Sequence, residues 1–210
     1  VAFIGATAYV LVTLVGPDVG GSSLVGIYRV DSPTSFTVVA NIGQFSLAHP
    51  PSTDFFVPTG VQYAIQTHRG AFLVSDGHHN RVLRVTPGGE ISELMAFGNI
   101  VPTGLAVRGN TVFMAEAGPV PHLAGDGKVV SFGPRTPAAT EVASGAPLLV
   151  DVEFGRGQQL YALSQGDFPV GNPEGSPAAP GTGALVQVGN DGSLRVVVDG
   201  LDRPTSLEFI

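Results

Sequence analysis

The chain contains no cysteine and no tryptophan, and only 13% of its 210 residues are charged. Without cysteine there can be no disulfide, no thiolate metal site and no cysteine nucleophile, although this does not fix the compartment. Basic residues are scarce, with 10 Lys and Arg against 17 Asp and Glu, for a formal charge of −7. No cluster of Lys or Arg offsets that balance, which argues against a nucleic-acid binder, since such a protein needs a basic face to neutralise phosphates. No Gly-x-Ser-x-Gly elbow, P-loop or dinucleotide fingerprint occurs, and GTGALVQVGNDG lacks the strand–turn–helix setting such a motif needs. The opening apolar run VAFIGATAYVLVTLVG is too short to span a membrane as a helix. It has no basic residue before it and is rich in β-branched residues, unlike a signal core.

What is abundant is apolar character and turn chemistry. Apolar residues make up 43%, and 29 Gly and 17 Pro are spread along the whole length. This is the composition of many short strands joined by turns, not of a disordered chain.

The strands recur in phase. VPTGVQYA from Val57, VPTGLAVR from Val101 and RPTSLEFI from Arg203 share a Pro-Thr-small-apolar opening. LVDVEF from Leu149 is a degenerate copy, and Val1-Ala2-Phe3-Ile4 lies over Leu207-Glu208-Phe209-Ile210. Each copy continues through a small turn (Gly70, Gly109 or Gly157) into AFLVS, TVFMAE or LYALS, with AYVLVT in the first copy. A third run follows (GIYRV, RVLRV, KVVSF or ALVQV), and then a fourth (FTVVA, EISELM, TEVA or LRVVV). Thr59 and Thr103 set a spacing of about 44 residues. Four short strands per unit of this length predict an all-β chain of about four four-stranded β-propeller blades. Their expected ranges are roughly 1–56, 57–100, 101–147 and 148–203, with 204–210 starting the next blade of a single partial propeller domain. Because the repeat is cut in the same strand at both ends, the expectation is a piece of a longer ring. The rival is a closed four-bladed ring, and an isolated open arc is expected to aggregate through its unpaired face.

SDGHHNRVLRVTPGGEI from Ser75 resembles a segment found across the middle strands of NHL repeats and virginiamycin-lyase-like propellers. Taken with PTGLAV, the Ala-Glu-x-Gly stretch at Ala115 to Gly118 and the closing RPTSLEFI, the chain resembles the ScyD/ScyE family over nearly its full length. That resemblance implies a bacterial, extracytoplasmic (secreted or periplasmic) propeller of six or seven blades. It brings no catalytic motif and no cofactor.

The long connections all fall between second and third strands or between blades, which places them at one end of the blades. They start at Thr13, Asn41, Glu116 and Ser164, whereas HRGA, RGNT, TPGGE and GNDGS at the other end are tight turns. Long connections without structure of their own are functional or disordered. A small molecule or a protein is therefore expected to bind at the long-loop end, where Asp76, His78, His79, Glu116 and His122 fall. The Pro/Gly/Ser stretch from Phe168 to Gly183 reads either as a partner-binding loop or as a mobile excursion. His78-His79 looks like a metal pair, but adjacent residues of an extended chain point apart. The plainer reading is a turn in which Asp76 and Asn80 bond the backbone. Glu116 and His122 are either an acid/base pair or neighbours by chance. Asp151, Glu153 and Glu208 sit on inner strands, where gluconolactonase-like propellers gather carboxylates to hold calcium. The resemblance thus leaves open a calcium- or magnesium-dependent hydrolase or lyase, against the plainer reading of carboxylates facing a watered channel.

Overall fold

The computed structural model describes residues 1–133 and 138–209. Its sixteen strands form four sheets, each a four-stranded antiparallel meander of contiguous sequence. The first comprises β1 (Ala2–Ile4), β2 (Thr7–Val12), β3 (Gly26–Ser32) and β4 (Ser35–Asn41). The second comprises β5 (Gln62–His68), β6 (Ala71–Asp76), β7 (Arg81–Val85) and β8 (Ile91–Ala96). The third comprises β9 (Pro102–Arg108), β10 (Thr111–Glu116), β11 (Gly127–Phe132) and β12 (Thr140–Ala146). The fourth comprises β13 (Leu149–Phe154), β14 (Leu160–Ser164), β15 (Gly183–Val188) and β16 (Leu194–Leu201). These are propeller blades, and the phase read from the repeat matches them strand for strand. Residues 202–208 form no strand, and Ile210, the last residue of the closing motif, lies outside the described residues.

The chain divides into two compact units, Val1–Gly98 and Asn99–Ile210, each holding two blades. In the N-terminal unit, Tyr9, Ile27, Ile42, Phe72, Val74 and Leu83 share one core. In the C-terminal unit, Phe113, Val129, Leu149, Val152, Leu160 and Val186 share another. The second strands carry apolar residues at successive positions because both of their faces are covered. All six residues of β6 are buried. The first turn of each blade contains a glycine with φ between +59° and +72° (Gly5, Gly70, Gly109, Gly157). Side chains rarely adopt this conformation, and in the first three blades it lets two strands join through two residues, whereas Gly157 lies in the longer connection between Phe154 and Leu160.

Three inner strands, β5, β9 and β13, lose register near their start. Shifts occur between Gln62 and Ile65, opposite Pro102 on β9, and between Leu149 and Asp151. Such bulges bend a strand and re-aim its side chains.

The connection after Asn41 was expected to lack structure of its own, yet it holds a helix, α1 (Ile42–Ala48). The Asn41 side chain caps it by accepting from the Gln44 amide at 2.9 Å. Ile42, Gly43 and Ser46 are its buried positions.

Candidate functional site

In the N-terminal unit the long-loop end is organised around Arg81, which is 1% exposed. Asp76 and Arg81 face each other across the β6–β7 hairpin. Nε of Arg81 donates to Oδ2 of Asp76 at 2.9 Å. Nη1 donates to the His49 carbonyl at 2.7 Å and Nη2 to the Ser46 hydroxyl at 3.0 Å. The guanidinium also lies 5.5 Å from the centre of the Phe45 ring. A positive charge here meets the carbonyls that the last turn of α1 leaves open, so one arginine locks the helix onto the blade.

Asp76 completes its bonding through Oδ1, which accepts from Gln62 Nε2 at 2.9 Å. It therefore bonds side chains from two other strands, where the sequence suggested local backbone bonding. Asn80 Nδ2 likewise reaches Thr53 Oγ1 at 3.0 Å. His78 and His79 lie in the turn between β6 and β7. His79 is buried; its Nε2 donates to the Val57 carbonyl at 3.1 Å, and its Nδ1 receives Arg81 Nη2 at 3.1 Å. Nδ1 also lies 3.3 Å from Asp76 Oδ2. Because a guanidinium can only donate and a carbonyl can only accept, the ring proton belongs on Nε2. Nearby, Asp18 accepts from both the amide and the hydroxyl of Thr59, at 3.0 and 2.6 Å. Burial opposes ionisation of Asp18, but these hydrogen bonds prevail and hold its carboxyl below the ordinary value.

Above this buried frame stands an aromatic group that sequence reasoning missed. Phe56 and Tyr63 are 60% and 44% exposed. Their ring centres are 5.8 and 6.5 Å from that of half-buried His78, while Phe55 meets His79 edge-on at 5.0 Å. The one signal in the sequence is the Phe-Phe pair immediately before Val57-Pro58-Thr59.

The C-terminal unit separates Glu116 from the partner proposed for it. Nε2 of His122 donates to Glu174 Oε1 at 3.0 Å, across 52 residues. Nδ1 of His122 is buried with no hydrogen-bond partner among the described residues. The stretch from Phe168 to Gly183, open to a reading as a mobile excursion, is packed: Ala178 is buried with Val101, Ala117 and Leu148, and Phe168 packs against them.

Glu116 is 5% exposed, and burial pushes its carboxyl up to about 7; Lys128 works against this and Glu141 with it. Asp151 is pushed up to about 6 by burial, opposed by the amides of Leu207 and Val152, both bonded to its oxygens. Glu153 is raised by burial, opposed by the Phe154 amide and reinforced by the Glu208 charge. Glu208 itself is exposed. For Glu116 the native state keeps a proton that the unfolded chain releases above its ordinary value of 4.5. Stability supplied by this group is therefore fully present at low pH and lost as pH rises toward 7. Wild type is expected to lose on the order of 2–3 kcal/mol more than Glu116→Gln between about pH 5 and about pH 8. Denaturant titrations of both proteins across that range check this, and parallel curves would exclude it.

Among the described residues no three His, Asp or Glu side chains are grouped so as to hold a metal ion. Among the same residues no helix is long and apolar enough to cross a membrane.

No protein-family model and no curated protein matches the chain. Solved structures do resemble it. The nidogen/laminin complex contains a chain that aligns with a TM-score of 0.58 at 11% identity, over 85% of this chain and 58% of that one. XC5397 from Xanthomonas campestris, a gluconolactonase, aligns with a TM-score of 0.52 at 15% identity, over 88% of this chain and 57% of that one. At such identities the likeness establishes the β-propeller fold and nothing finer. This chain spans less than two thirds of either.

Proposed function

We propose that this chain belongs to an exported propeller of the ScyD/ScyE kind that works as a binding scaffold and receives a partner protein at its long-loop end. The observation that carries the reading is the exposed trio Phe55, Phe56 and Tyr63 over His78 and His79, on a floor fixed by Arg81. Rigid aromatic side chains offer large contact area at low entropic cost and dominate measured interface energies. Propellers serve protein recognition elsewhere, as the nidogen/laminin complex illustrates. Extracytoplasmic location rests on the segment from Ser75 to Ile91 and its family resemblance.

A photo-reactive phenylalanine analogue at position 56, compared with one at exposed Arg69 in a short turn, tests the reading on protein produced in its own cells. One partner protein cross-linked through position 56 and not through 69 is expected. With that partner in hand, Phe56→Ala should weaken binding by about 2 kcal/mol, roughly thirtyfold. A partner captured only through position 69 would refute the assignment. The competing hydrolase or lyase reading would replace it if calcium titration showed binding that Asp151→Asn abolishes, together with lactone turnover.

A further inference from the structure

The aromatic trio stands in a setting whose fixed charge is all of one sign. The connections at that end of the N-terminal unit run over 13–25, 42–61 and 77–80, and they contain no Lys or Arg. They do contain two acids, Asp18 and Asp54, both exposed. Asp54 immediately precedes Phe55 and makes no hydrogen bond or ion pair among the described residues. Asp18 is tied to Thr59, three residues beyond Phe56, by bonds that favour its ionised form. Arg81, the cation of the floor, is buried and already matched by Asp76 at 2.9 Å. The rings are set at an angle to one another. Tyr63 lies within 28° of the His78 plane, whereas Phe56 meets that plane at 73°. Each exposed ring presents a negatively polarised face, so rings and carboxylates favour the same sign of ligand.

Resting on the reading that this end receives a partner protein, we propose that the partner docks through an arginine laid against Phe56 and Tyr63, its charge balanced by Asp54. An apolar or acidic partner covering Phe56 would also strip water from Asp54, two residues away, and bring no charge to replace it. A cation removes that penalty and gains from both the ring faces and the carboxylate. Arginine suits the place better than lysine. Its guanidinium is flat and weakly hydrated, so it stacks on a ring and keeps its N–H groups for a carboxylate. Arginine is also, with tyrosine and tryptophan, among the residues that dominate interface energies and meet such residues across the contact. The formal charge of −7 further favours encounter with a basic partner.

A random peptide library displayed on phage is the probe, selected on the protein and depleted on Phe56→Ala. Recovered peptides are expected to share an arginine at one position. Replacing that arginine by citrulline, which keeps the shape and loses the charge, should weaken a synthetic peptide about fivefold or more. Asp54→Asn should weaken the arginine peptide about two- to fivefold and leave the citrulline peptide unchanged. Added salt should act in the same selective way. Peptides without a shared arginine would overturn the proposal, as would a citrulline peptide bound equally well or a library with no member that depends on Phe56. The citrulline comparison needs no variant, so it decides the matter even if a substituted protein does not fold. A cellular partner cross-linked through position 56 alongside any of those failures would keep the scaffold reading and remove only the arginine.

Discussion

Arg81→Met is expected to destabilise the N-terminal unit by about 3–5 kcal/mol, the usual cost of removing one member of a buried ion pair. The loss is not that of a single contact. Without the guanidinium, the Asp76 carboxylate stays buried with Gln62 bonded to one oxygen and His79 Nδ1 3.3 Å from the other, and the His49 carbonyl and Ser46 hydroxyl lose their donor. Denaturant unfolding followed by far-UV dichroism measures the total, and hydrogen exchange at the α1 amides locates it. The double variant Arg81→Met/Asp76→Leu should recover a large part of the loss, because replacing both charges removes the uncompensated one. A single variant within about 1 kcal/mol of wild type would show that Arg81 does not anchor the helix. The same variant bears on binding. If α1 and the following loop detach, Phe55 and Phe56 lose their fixed positions, and partner affinity should fall even though neither ring has been changed.

Gly104→Ala is expected to cost about 3 kcal/mol, at the upper end for overpacking, because the obstacle is backbone. A β-carbon at Gly104 would stand 2.4 Å from the Asp151 Cα and 2.7 Å from the Val152 nitrogen. Main chain cannot swing aside as a side-chain end can, so the two blades of the C-terminal unit would have to part. Parting would also strain the neighbouring Thr103 hydroxyl, which lies 3.0 Å from the Ala115 carbonyl and 2.8 Å from that of Leu149, on the next blade. Thermal and denaturant midpoints for the variant give the measure, and a change below about 0.5 kcal/mol would contradict this close approach. The recurrent Pro-Thr-Gly thus has a packing role at Val101–Gly104. In RPTSLEFI the matching position is Ser206, which is exposed and meets no such restriction.

Much of the fold was legible because propeller strands announce themselves locally. RVLRV, TVFMAE, LVDVEF and LYALS coincide with β7, β10, β13 and β14 to the residue, since each is a short apolar run closed by turn residues. The helix α1 was not legible. Seven residues show no helical period, and Gly43 and Ser46 lower its propensity. Only the Asn41-x-x-Gln44 cap marked it. The Asp76–Arg81 pair could have been inferred, because residues flanking a four-residue turn sit opposite each other in a hairpin. The buried carbonyl and hydroxyl awaiting that arginine could not, for they come from a helix that was not foreseen. His122 and Glu174 belong to two separate connections, and no pattern in one chain joins residues brought together only by loop packing.

The bulges at Gln62, Pro102 and Asp151 have an evolutionary consequence. In a pleated strand, inserting or deleting one residue would exchange inside for outside along everything downstream. A doubled position at the junction can take up an odd residue there, so the preceding connection is free to lengthen or shorten by any number. The length of the connection is thereby uncoupled from the core of the blade it enters, and new recognition surfaces can be tried without rewriting the hydrophobic code beneath them.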